Sequence, residues 1–252
     1  MSYENIQLSI EGKIAHLQFN RPAKRNAVSS GLLQDIESCF DGLPPEVAVV
    51  VFSGGGEHFS AGLDLSEHRV RSPFEVLQHS QWWHRVFHKI QFGGRPVISA
   101  MHGAVIGGGL ELATSTHIRI AESSTFYQLP EGQRGIFVGG GASVRVAKII
   151  GADRMTEMML TGRRYNAQEG LRLGLSHYLV EHGEALDEAF RLARLVANNA
   201  PLSNWASINA IAHIGDMSMA NGLYTESMAA AITQSSDEAN HRIQDFLTRK
   251  KG

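Results

Sequence analysis

The sequence predicts an α/β fold, with strands and helices alternating through most of its length, followed by a helical C-terminal segment. Three observations carry this reading. The N-terminus alternates apolar and polar residues as a hairpin does, apolar runs of strand length then recur between helical stretches as far as Val180, and strand signals stop beyond Glu184.

Taken in order, Ile6-Gln7-Leu8-Ser9-Ile10 alternates, turns at Glu11-Gly12 and resumes with Ile14-Ala15-His16-Leu17-Gln18-Phe19, the signature of a β-hairpin. Asn20-Arg21-Pro22 ends it. Ser29 or Ser30 can cap a helix that carries Leu32, Leu33, Ile36 and Phe40 at helical spacing. Val47 to Phe52 reads as a buried strand, closed by Ser53-Gly54-Gly55-Gly56; strand, helix and strand in that order imply parallel pairing with a right-handed crossover. The pattern repeats as a helix from about Pro73 to Ile90, a strand from Pro96 to Met101, a glycine turn, a helix from Gly108 and a short strand from His117 to Ile120. Alternation continues to His177-Tyr178-Leu179-Val180. Helices are then expected over 186–199, 202–213 and 222–248, which divides the chain into a core at 1–195 and a helical segment at 196–252. Met217, Met219, Leu223, Met228, Ile232 and Phe246 give that segment more apolar surface than it needs internally, so contact with another subunit is expected.

Composition narrows the function classes. With 252 residues, 43% hydrophobic and 19% charged, the chain is an ordinary globular one. No window approaches the roughly 18 uninterrupted apolar residues of a membrane span, and Met1 to Gly12 lacks a basic stretch followed by an apolar one, so a cytoplasmic location without membrane partners is expected. A net charge of -2 with scattered Lys and Arg offers no basic face to nucleic acid. The lone Cys39 cannot form an internal disulfide. His79, His84 and His88 share a predicted helix without a carboxylate or thiol at ligand spacing, so no metal is expected.

Glycine-rich turns are the places where chemistry can sit. Phe59-Ser60-Ala61-Gly62-Leu63-Asp64-Leu65 follows a strand and, by itself, reads as a tight turn. Gly103 to Ala113 places three consecutive glycines, Gly107-Gly108-Gly109, at a helix start, where unpaired amides favour developing negative charge. Neither the GxxxxGK[ST] phosphate loop nor the GxGxxG dinucleotide spacing is present. Glu111 falls in the first turn of that helix, where an isolated Glu would simply complement the dipole. Glu131 lies in the turn Gln128-Leu129-Pro130-Glu131-Gly132, where an isolated Glu would be solvated.

Together these residues resemble the crotonase, or enoyl-CoA hydratase/isomerase, family over nearly the whole chain. The resemblance rests on Asn20-Arg21-Pro22 with Lys24-Arg25-Asn26-Ala27, on Phe59 to Leu65, on His102 to Ala113 with its GGGxELA run, and on Pro130-Glu131 four residues before Gly135. Leu160-Thr161-Gly162, Ala167, Gly174-Leu175 and Phe246-x-x-x-Lys250 add weaker matches. The resemblance implies a spiral of ββα turns with a C-terminal helical trimerisation segment, assembled as a homotrimer or homohexamer around acyl-CoA thioesters. It implies that the backbone N–H groups of Leu63 and Gly108 hold the thioester oxygen, and that Lys24, Ala61, Gly62, Asp64, Leu65 and Gly107 line the substrate and its CoA moiety. Phe246 and Lys250 would reach CoA as well, and no cofactor is implied beyond the CoA carried by the substrate.

Family members differ in the acidic side chains offered to the acyl group. Glu111 and Glu131 occupy both positions associated with hydratases, which implies reversible syn-addition of water to a trans-2-enoyl-CoA. Isomerases typically keep one of the two carboxylates. Hydroxycinnamoyl-CoA hydratase-lyases place a tyrosine where Tyr224 falls but a serine where Glu111 stands. A catalytically idle CoA-binding paralogue would need neither glutamate. Two departures stand out: Gly135-Ile136-Phe137-Val138-Gly139-Gly140-Gly141 lacks the proline of the family's GxxPGxGG loop, where Phe137 and Arg134 are candidates to reshape the acyl pocket, and Glu238-Ala239-Asn240-His241-Arg242-Ile243 replaces the usual acidic-Gly step.

Overall fold

The computed structural model describes residues 3–67 and 69–249. In chain order its strands are β1 (Ile6–Glu11), β2 (Ile14–Phe19), β3 (Val49–Gly54), β4 (Val97–Met101), β5 (Ala104–Ile106), β6 (Ile118–Glu122), β7 (Phe126–Gln128), β8 (Tyr165–Asn166) and β9 (Tyr178–Val180). The larger sheet runs β1-β2-β3-β4-β6-β9, antiparallel only at the expected hairpin and parallel thereafter; the smaller runs β5-β7-β8. Helices α1 (Ser30–Gly42) and α2 (Pro73–Phe92) start where their caps say they should. The Ser29 hydroxyl accepts from Leu32 N–H, and Ser72 and Glu75 form a reciprocal capping box ahead of Pro73.

Both faces of the large sheet are covered, which is why its central strands are continuous apolar runs. On β3, Val50 and Phe52 join Phe19, Leu32, Leu33 and Phe87 in one core, whereas Val49 and Val51 face the other way. There they meet Ala185, Ala189, Ala193 and Ala197 of a later helix that spans Ala185–Ala197. The first face gathers most of the aromatic rings, whereas that helix meets the second largely through alanines, with Leu192 and Phe190 beside them.

Helices α3 (Gly108–Ala113), α4 (Ala142–Ile150), α5 (Ala152–Thr161) and α6 (Ala167–Leu173) lead from the small sheet to α7 (Ala185–Ala197). Three helices follow rather than the two expected beyond α7: α8 (Pro201–Ile214), α9 (Met219–Gln234) and α10 (Asp237–Arg249). The single helix expected over 222–248 is broken at Ser235-Ser236, because the Ser236 hydroxyl takes the Ala239 N–H and starts a new helix. The strand expected at 47–52 lies two residues later, since Val47 N–H closes a turn onto the Pro44 carbonyl. Trp205, Ile211, Met219, Leu223 and Tyr224 remain exposed on α8 and α9. No helix among the described residues is long and apolar enough to cross a membrane.

Candidate active site

Two isolated parallel bridges seat the loop at 59–65, one pairing Ser60 with Val105 and the other Val28 with Leu63. In the second, Val28 N–H donates to the Gly62 carbonyl at 2.7 Å and Asp64 N–H to the Val28 carbonyl at 3.0 Å. That pattern uses the groups flanking Leu63 and leaves its own N–H on the opposite edge, where it meets no acceptor among the described residues. The N–H of Gly108 heads α3, ahead of the helical ladder, and is likewise without an acceptor. The two amides are neighbours: a Cβ built on Gly108 would stand 3.4 Å from the Leu63 nitrogen, and one on Gly62 would stand 3.3 Å from the Gly108 nitrogen. Adjacent donors without an acceptor suit an oxygen that acquires negative charge.

The Asn20 to Asn26 segment braces this loop. Asn26, at φ +52, accepts from Arg21 N–H and donates to the carbonyls of Gly55 and His58. Arg21 reaches Asp64 at 2.7 Å, and Ser66 donates to the other Asp64 oxygen through both its N–H and its hydroxyl. Burial pushes the Asp64 carboxyl up, but the Ser66 hydrogen bonds and the Arg21 ion pair outweigh it and hold it at about 2. Asp64 thereby braces the loop.

Glu111 is 3% exposed on α3. Its Oε1 accepts from Gly140 N–H at 2.8 Å and from Ala142 N–H at 3.0 Å, so the carboxylate also caps the start of α4. Its Oε2 takes no hydrogen bond among the described residues. Burial dominates and raises the Glu111 carboxyl above its ordinary range, and the Ala142 and Gly140 amides and the Arg145 charge offset only part of it. Glu131 is 7% exposed in its turn, with Oε2 buried and unpartnered. Burial, with the Glu111 charge adding to it, pushes Glu131 up to about 7. Gly107 stands at φ +50 with a Cβ position 2.5 Å from Glu131 Oε1, so only glycine lets the second carboxylate approach the amide pair. Two buried carboxylates with unlike hydrogen bonding thus share a site with two free amides.

The profile of the enoyl-CoA hydratase/isomerase family matches residues 9–252. The chain belongs to this family. It is 31% identical over 254 residues to a short-chain-enoyl-CoA hydratase of Clostridium acetobutylicum, covering 100% of this chain and 97% of that one. It is also 30% identical over 253 residues to a human mitochondrial delta(3,5)-delta(2,4)-dienoyl-CoA isomerase, covering 94% and 77%. A crystal structure from Rhodopseudomonas palustris CGA009, described provisionally as an enoyl-CoA hydratase, superposes with a TM-score of 0.96 at 51% identity over 98% of this chain and 96% of that one. The fold is that of the crotonase superfamily, and the protein is an enzyme of the enoyl-CoA hydratase/isomerase family.

The remaining expected residues of this crotonase scatter more widely. Ala61, Gly62 and Leu65 share the amide loop, and Lys24 is exposed at the end of the short turn Pro22–Lys24. Tyr224 is 69% exposed on α9, which packs on α8 and α10. Phe246 lies on α10, and Lys250 falls outside the described residues. Phe137 is exposed on the loop after Glu131. Sequence reasoning missed Trp83 and Arg145. Trp83, 4% exposed, presses its ring against Gly108 and Gly140, the sites of one free amide and one Glu111 donor. Its available signal was the helical stripe it forms with Val86, Phe87 and Ile90.

Proposed function

We propose that this enzyme adds water, reversibly and with syn geometry, across the double bond of a trans-2-enoyl-CoA. The observation that carries the reading is the pair of buried carboxylates beside the acceptor-free Leu63 and Gly108 amides. The thioester oxygen accepts both amide hydrogens, and the enolate that forms is stabilised there. Glu111, held through Oε1, offers Oε2 to a water and takes its proton as the hydroxyl adds to Cβ. Glu131, raised toward neutrality, carries the proton that Cα receives. The overall transfer balances: water supplies the hydroxyl and leaves a proton on Glu111, Glu131 gives one up, and solvent exchange restores the pair. Lys24, Ala61, Gly62, Leu65 and Gly107 hold the CoA arm and acyl group, joined by Phe246 and Lys250, and no cofactor beyond the substrate's own CoA takes part.

An isomerase needs only one carboxylate to move a proton between carbons, so a second one fixed by two amides supports hydration. Incubation of the purified chain with crotonyl-CoA and with feruloyl-CoA tests this directly. The expected result is 3-hydroxybutyryl-CoA from the first; double-bond migration alone, aldehyde release from the second, or no turnover would overturn the reading.

The exposed apolar residues of α8 to α10 support a homotrimer or homohexamer. Sedimentation at micromolar concentration should therefore give a species well above the 27.5 kDa chain mass. A monomer alone would rule that assembly out.

A further inference from the structure

Arg145 lies on the far side of the backbone that holds Glu111. It is in the first turn of α4, yet its side chain folds back toward the helix start, donating through Nη1 to the Gly140 carbonyl at 3.1 Å and through Nε to Gln91 Oε1 at 2.7 Å. Gly140 thus has its N–H on Glu111 and its carbonyl on Arg145, and one residue of backbone separates carboxylate from guanidinium. A Cβ on Gly141 would stand 2.3 Å from Arg145 Nη1, so the glycine run leaves the space that the guanidinium fills. Ser80 pins the same loop from α2 by donating to the Gly139 carbonyl at 2.6 Å. Arg145 is half-buried and forms no ion pair among the described residues, although Lys89, Lys148 and five other arginines do. Its hydrogen bonds all go to neutral acceptors, and its charge is left to act on Glu111.

We propose that Arg145 is a positioning residue for hydration: it clamps the 139–142 loop around Glu111 and sets its charge one residue of backbone behind that carboxylate, on the side that favours the ionised form. The other charged or titratable groups around the pair do not supply this. Glu131 opposes it, Arg134 acts on Glu131, and His84 of α2 faces Arg145 and is pushed below its ordinary range by burial and then by Arg145, so it stays neutral. The inference rests on the hydration reading, in which ionised Glu111 sets the acid limb of the pH profile and protonated Glu131 the alkaline limb.

Arg145→Gln keeps a donor for the Gly140 carbonyl and removes the charge; Arg145→Lys keeps the charge and loses the fork. With crotonyl-CoA, Arg145→Gln should move the acid limb of kcat/KM up by about one pH unit, in the range that one nearby opposite charge supplies, so that the loss approaches tenfold below the limb and shrinks above it. Arg145→Lys should keep that limb in place. Equal rate losses in both variants with an unmoved limb would reduce Arg145 to a structural prop and overturn the proposal, as would a limb displaced in Arg145→Lys. Titration of the 13C-labelled Glu111 carboxyl, assigned with Glu111→Gln, reads the same shift without turnover. If wild-type enzyme forms no hydroxyacyl product, the hydration reading fails, and that titration still decides whether Arg145 governs the charge of Glu111.

Discussion

Glu131→Gln should lower kcat for hydration by at least ~10², the range that general acid–base groups supply, while making the protein more stable at alkaline pH. The first effect follows because the amide cannot give up the proton that Cα receives. The second follows from the proton inventory. Folded Glu131 titrates at about 7 against an ordinary 4.5, so between those values the native state keeps a proton that the unfolded chain has released. The group favours folding fully only below pH 4.5, and its contribution is lost as pH rises through 7. Beyond that, a buried carboxylate with an unpartnered oxygen remains, at a cost on the order of 3 kcal/mol. Thermal melts should therefore show Glu131→Gln gaining on wild type at pH 9 and matching it near pH 4. Glu111→Gln should damage hydration comparably. Near-wild-type hydration by either variant would remove that residue from the mechanism.

Gly108→Val should abolish turnover in a protein that still folds. The reason differs from the one the glycine run suggests: Gly108 has an ordinary helical φ, and the left-handed position is Gly107 next to it. What Gly108 lacks is room. Its Cβ position lies 2.8 Å from two atoms of the Trp83 ring, which is itself wedged between Phe87 and Gly140, and 3.4 Å from the Leu63 nitrogen. A valine must displace that ring, and its branches fall over the two amides that the thioester oxygen needs. Losing one such donor costs about 3 kcal/mol, so losing both removes the enolate's stabilisation. Circular dichroism together with crotonyl-CoA turnover checks this, and full activity would make the glycine run a turn and nothing more.

The parts of this molecule that could be read from its sequence are those in which local chemistry and tertiary demand coincide. Ser29 and the Ser72–Glu75 box mark helix starts by side-chain hydrogen bonds made within three residues, so the signal is local. The small sheet went unread because β5, β7 and β8 are two or three residues long, too short for a period to show, and β5 runs directly into glycines. At the site, Glu111 and Glu131 were findable only through the motif resemblance, since each alone looks like a dipole or turn residue. Trp83 and Arg145 carry no local mark of their position. Trp83 reads as one more member of an apolar stripe, and Arg145 as a helix-surface cation, because what singles them out is contact with Gly108 and Gly140 across the fold. Asp64 carries a second task that its place in the motif does not show, since Arg21 and Ser66 tie its two oxygens into the loop.

The unequal filling of the two faces of the large sheet bears on which lengths of chain the fold tolerates. Side chains alternate faces at every residue of a strand, so one inserted residue in β3 would exchange the partners of everything beyond it. Phe52 would be driven into the close-packed layer between the sheet and α7, and a valine would be left facing the hollow that Phe19 and Phe40 form for a ring. At the hairpin tip, by contrast, a Cβ on Gly12 would meet nothing within 4 Å. Length variation among descendants of this sequence should collect at such tips and avoid the middle of β3, which acts as a ruler against which the rest of the chain is counted.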